Sequence, residues 1–180
     1  MRTIRETSCA LAFAACALLA SVDASATTPK SGLALQLPTV SMRSIEWAEA
    51  KSADALRAGT PLPAPMAALA RKVGVRDPSK VRVMVVEEIP LPDEPMLRRA
   101  ARQVGIAPAS AAGLTLGYAV LVRRGFEADA RLMSHELRHV AQYEAMGGLR
   151  PFLSQHLVDL TVHGYENSPF EVDARRHEVE

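Results

Sequence analysis

The sequence predicts an α+β domain in which a small sheet packs against one long helix and several shorter ones. Two β-rich stretches, residues 81–86 and 113–123, sit among segments whose apolar residues recur at helical spacing. Between the second stretch and the C-terminus the helical signals are strong and are punctuated by Gly147-Gly148 and Gly164.

The elements follow in order. Arg2 and Arg5 begin the chain, an apolar run extends from Cys9 to Val22, and Ala24-Ser25-Ala26 has the small-x-small form of a cleavage site. This order of basic start, apolar centre and small-residue end predicts a signal peptide over residues 1–26, and therefore a secreted or periplasmic protein. The apolar run is too short for a comfortable membrane span, and no stable membrane insertion is expected after cleavage. Both cysteines, Cys9 and Cys16, fall inside this leader. Residues 27–40, rich in Thr, Ser, Gly and Pro, read as a flexible tether, and residues 41–180 as a single domain.

Within that domain, Ser41 to Ala58 carries a helical pattern with Trp47 as a core anchor, stopped by Gly59-Thr60-Pro61-Leu62-Pro63. A short helix follows over about Met66 to Val73. Val81 to Val86 reads as a strand stopped by Pro90 and Pro92, and Asp93 can cap a helix reaching about Val104. Gly113 to Arg123 reads as one continuous strand, with Leu114, Leu116, Tyr118, Val120 and Val122 on one face and Gly117 leaving a pleat open on the other. A long helix is expected from about Glu127 to Met146 and another from Pro151 to about Val162. A final helix is expected with Ser168 as cap, Pro169 in its first position and Glu171 in its first turn. The tail from Arg175 to Glu178 reads as a solvated helix end, with His177 outside any site.

Charge excludes some functions. The 180 residues include 21 Lys and Arg against 20 Asp and Glu, a net charge of +1, so no basic face advertises nucleic-acid binding. Chemistry concentrates at His135-Glu136-Leu137-Arg138-His139, a His-Glu-x-x-His arrangement inside the long helical pattern. At 100° per residue the two imidazoles lie about 40° apart and Gln142 shares their face, while Met133, Leu137, Val140 and Ala141 lie opposite. Imidazoles one turn apart reach a single ion at about 2.0–2.1 Å, which is why a zinc site uses this spacing. Glu136 projects beside them, within reach of a water on such an ion. A third protein ligand is required, and Glu171 is the leading candidate. The same Ser168-x-x-Glu171 spacing also fits a capping box, in which Glu171 would bond only the backbone. Asp173 and Glu166 are alternative third ligands, and His163 would give an all-histidine set.

His135-Glu136-x-x-His139 followed after 32 residues by Glu171-x-x-Ala174 resembles the gluzincin type of zincin metallopeptidase. The longer pattern His-Glu-Leu-x-His-Val-x-Gln, then Asn-x-Pro-Phe-Glu-x-Asp-Ala, is similar to small bacterial peptidase-like domains. The resemblance spans roughly residues 113–174. It departs from thermolysin around Glu171, and the third histidine that metzincins carry after the motif is absent. It implies a zincin-like fold holding one Zn2+ on His135, His139 and Glu171, with Glu136 as general base for hydrolysis of a peptide or protein substrate. It further implies that the strand Leu114 to Val122 pairs with an extended peptide, eased by Gly117, and makes Tyr165 and His163 candidate oxyanion donors. A non-catalytic zinc-binding or interaction domain of the same fold, and a zinc amidase acting on cell-wall peptide, are the alternatives.

Overall fold

The computed structural model describes residues 37–103 and 111–180, with side chains from residue 42 onward and none at 102–103. The expected signal peptide and most of the expected tether lie outside these residues. Six helices and four strands follow one another as α1 (Leu37–Ala58), β1 (Thr60–Pro61), α2 (Ala64–Lys72), β2 (Arg82–Val86), α3 (Pro95–Gln103), β3 (Gly113–Leu116), β4 (Ala119–Arg123), α4 (Ala130–Met146), α5 (Leu149–Asn167) and α6 (Pro169–Arg176). The α+β expectation is met. None of the helices in the described residues is long and apolar enough to cross a membrane. Helix α1 begins at Leu37, inside the stretch expected to be a tether, with Pro38 in its first turn, where a missing N–H costs no hydrogen bond.

The four strands form one sheet in the order β1-β2-β4-β3. Strands β2 and β4 run parallel, in register from Arg82 opposite Ala119 to Val86 opposite Arg123, and α3 lies in the connection that parallel neighbours require. The two-residue β1, not anticipated from the sequence, pairs antiparallel with β2 at the sheet's edge, where Pro61 is tolerated.

The stretch expected to be a single strand is instead a hairpin. Gly117, at φ +71°, and Tyr118 form its two-residue loop, and Leu116 pairs with Ala119 across it. A glycine with positive φ in the first loop position suits the primed turns that match strand twist. Gly117 therefore stands in a turn against the Tyr143 ring, where an added Cβ would lie 3.3 Å from that ring, and not in a pleat awaiting substrate. The hairpin also reverses the expected facing. Leu114 pairs with Leu121 and Leu116 with Ala119, and these four join one apolar cluster with Ile45, Ala48, Leu97, Phe152 and Leu157. Thr115 pairs with Val120, and Val120 and Val122 join a second cluster with Ala70, Val73, Leu132, Met133, Leu137 and Val140. The sheet is thus buried on both faces, one against residues of α1, α3 and α5 and the other against α2 and α4.

A buried carboxylate ties the far end of α4 to the rest. Glu144, 8% exposed, accepts from the backbone N–H groups of Arg76 (2.6 Å) and Asp77 (3.0 Å) and from the Tyr118 hydroxyl (2.9 Å). Burial and then this carboxylate push Tyr118 up to about 12 from an ordinary 10.0. Because its folded pKa is raised, the Tyr118 contribution is fully present below about pH 10 and is lost as pH rises through about 12. Denaturant titrations should therefore show stability falling over that window, with a smaller fall in Tyr118→Phe. At neutral pH, Glu144→Ala should cost roughly 2–3 kcal/mol by stranding buried donors.

Candidate metal centre

Helix α4 is fixed at both ends: the Asp129 side chain accepts from the Leu132 N–H at 2.9 Å, and Gly147 closes it in the left-handed conformation. Its apolar face is used against α2 and the sheet, so His135, His139 and Gln142 are carried inward toward α5 and α6, while Glu136 turns to β3 at Thr115. Helix α6 enters through Pro169 and brings Glu171 to the two imidazoles. His135, His139 and Glu171 are 1%, 0% and 0% exposed, and their ligand atoms all lie within 4.8 Å of one another.

The distances suit a cation. Nε2 of His135 and Nε2 of His139 are 3.1 Å apart, His135 Nε2 is 3.4 Å from Glu171 Oε2, and His139 Nε2 is 3.5 Å from Glu171 Oε1. Ligands bound tetrahedrally at 2.0–2.1 Å stand about 3.3–3.4 Å from one another, so the cluster has the dimensions to hold a metal ion. The capping-box alternative for Glu171 is not what forms: Ser168 makes no side-chain cap bond, and neither Glu171 oxygen has a hydrogen-bond partner. A fully buried carboxylate without hydrogen bonds, facing imidazoles, fits a ligand for a positive ion.

Neighbouring groups set the tautomers. The Gln142 amide donates to Phe170 O (2.9 Å) and Asp173 Oδ2 (2.7 Å), which turns its oxygen to His139 Nδ1 at 2.8 Å. His139 Nδ1 must then carry the proton, leaving Nε2 as a lone pair aimed at Glu171. On the other imidazole, Nδ1 of His135 lies 3.0 Å from Glu178 Oε1, and Glu178 is held in turn by Arg131. Burial lowers both imidazoles, and takes His139 down to about 3. At His135 the carboxylates Glu171 and Glu178 outweigh burial and raise it to about 9. Burial also opposes the Glu171 charge, but His139, His135 and His156 hold that carboxyl well below its ordinary range.

The other predicted residues have different places. Asp173 does not join the cluster; it binds the Arg138 guanidinium at 2.7 and 3.2 Å and Gln142, bolting α6 to α4. Glu166 and His163 are exposed and outside the cluster. Tyr165 is half-buried against the first apolar cluster, and the chain turns non-helical at Gly164 beside it. His177 bonds the Asp173 backbone. Glu136 is fully buried: Thr115 Oγ1 lies 2.7 Å from its Oε2 and 3.0 Å from its backbone oxygen. Gly113 lies so close that an added Cβ would stand 2.5 Å from Glu136 Oε1. Strand β3 does lie at the sheet edge beside α4, but all four of its residues are buried and Ser52 of α1 bonds the Leu116 carbonyl.

Two residues were not anticipated. Glu178 belongs to a tail read as solvated, yet it reaches His135, and the Val179 N–H donates to Ser134 Oγ beside it. His156 of α5 is 0% exposed and brings Nε2 to 3.4 Å from Glu171 Oε1. Its sequence signal is its position one turn after Phe152 on a face with Leu153, Leu157 and Leu160, where a histidine interrupts an apolar stripe. No family model matches this chain, and no curated protein or solved structure matches it either.

Metal analysis of the purified protein should find one divalent ion per chain, lost on Glu171→Ala. Glu178→Ala should keep the site but weaken it about 10–100-fold in a chelator competition, since it removes only the group that orients His135.

Proposed function

We propose that the protein is an exported zinc-dependent hydrolase of zincin-like fold that cleaves peptide bonds. The observation that carries this reading is the placement of Glu136: a buried carboxylate between two histidines of a cation-binding cluster, held by Thr115 and pressed by Gly113. Zinc bound by His135, His139 and Glu171 would supply a Lewis acid and an activated water. Glu136 lies on the same helix face region, one residue from His135, and is the group able to accept the water's proton and return it to the leaving nitrogen. Thr115 fixes the carboxylate's orientation through its hydroxyl, 2.7 Å from Oε2. A site that only stabilises the fold has no need of that base. The substrate is a peptide or protein, and an amide of cell-wall peptide would be served by the same groups.

A second reading rests on a specific observation. The metal ligands and Glu136 are all 0–1% exposed, which is the burial expected of a metal centre that stabilises a binding domain without turnover.

Glu136→Gln separates the two. On a panel of unstructured proteins and cell-wall peptides, the wild-type protein should hydrolyse at least one, and the variant should lose about 10²–10⁴-fold while keeping its zinc. Hydrolysis unchanged in the variant would remove the proposed mechanism, and zinc-dependent stability without any hydrolysis would establish the second reading. Gly113→Ala should also lower turnover with little loss of zinc, because the new methyl displaces the Glu136 carboxylate and not the ligands. Intact mass of the exported protein should correspond to a chain beginning at Thr27.

A further inference from the structure

Among the described residues, five buried side-chain polar atoms lack a hydrogen-bond partner: both nitrogens of His156, both oxygens of Glu171, and Ser168 Oγ. Four of the five thus belong to two fully buried side chains whose nearest atoms are 3.4 Å apart. The His156 ring is fixed by its walls. It stacks on Phe152 with centroids 5.6 Å apart and planes 13° from parallel, and it meets Phe170 edge-on at 5.4 Å. This packing restricts the ring to a slot whose polar end faces Glu171. On the other side of the carboxylate, Oε2 faces His135 at 3.4 Å. His156 is not among the groups whose ligand atoms converge within 4.8 Å, so it approaches the site through the carboxylate.

We propose that His156 is a positioning residue for the metal centre: its Nε2–H donates to Glu171 Oε1 and so presents Oε2 to the ion bound by His135 and His139. This rests on the metal-binding reading of the cluster. The last torsion of a glutamate is broad and soft, so bringing Oε1 into line with a ring held at 3.4 Å costs little. Satisfying Oε1 in this way answers the need of a buried carboxylate ligand for a partner on its remaining lone pairs, and such partners commonly alter metal affinity by 10–100-fold.

The test uses the full chain loaded with zinc alone. His156→Gln places a donor near the position of Nε2, whereas His156→Phe keeps the aromatic packing and removes the donor. Chelator competition should show His156→Phe about 10–100-fold weaker and His156→Gln within about threefold of wild type. X-ray absorption at the zinc edge of the wild-type protein should count two imidazoles. Affinity unchanged in His156→Phe, or lost equally in both variants, would overturn the positioning role while leaving the metal centre standing. A third imidazole on zinc would overturn it as well, by making His156 a ligand. Absence of zinc binding in the wild-type protein would remove the metal centre and this inference together. The imidazole count needs no variant and tells a ligand from a positioning residue even where a substitution disturbs folding.

Discussion

A carboxylate with no access to water is the constraint around which this structure is organised. Glu171 cannot be buried as an isolated charge, because desolvation would cost several kcal/mol. Three imidazoles lie within 3.4–3.5 Å of its oxygens, and each of those imidazoles is fixed by something else. Gln142 holds His139, Glu178 holds His135, and the rings of Phe152 and Phe170 hold His156. The contacts that hold these groups draw on α4, α5, α6 and the C-terminal tail, so the packing of the C-terminal half and the electrostatics of one side chain are the same problem.

The second organising feature is the division of labour on α4. One face of the helix is apolar and packs on the sheet through Val120 and Val122, while another carries His135 and His139 to Glu171. Rigid attachment on the first face is what permits narrow placement on the second. Thr115 reaches across from the sheet to Glu136, so the strand layer positions that carboxylate as well as supporting the helix.

Much of this was legible in the residues. The i, i+4 histidines, the Ser168-Pro169 start of the last helix and the glycine stops each depend on local chemistry, and the helices form close to where those signals place them. Glu171 was ambiguous because ligand and capping box share one spacing; only the burial of its oxygens away from the backbone separates them. Asp173 looked like a spare ligand because sequence does not show that Arg138 will claim it. Glu178 was beyond local reading, since its partner lies 43 positions away, and for His156 the interrupted apolar stripe marks a buried ring but not its partner 15 positions on. The hairpin was missed for a different reason. Tyr118 and the apolar residues around Gly117 continue the alternation of a strand, and a two-residue loop interrupts that pattern without a Gly-Asn or Asn-Gly signature.

That loop carries a consequence for how the protein can vary. Surface loops ordinarily absorb insertions and deletions with little effect. Here the two residues Gly117 and Tyr118 set the pairing of β3 with β4. A one-residue change in length would turn β3 over, swing Leu114 and Leu116 toward α4, and withdraw Thr115 from Glu136. A loop at the tip of a hairpin, remote from the ligands along the chain, is thereby as intolerant of length change as the helix that bears the histidines.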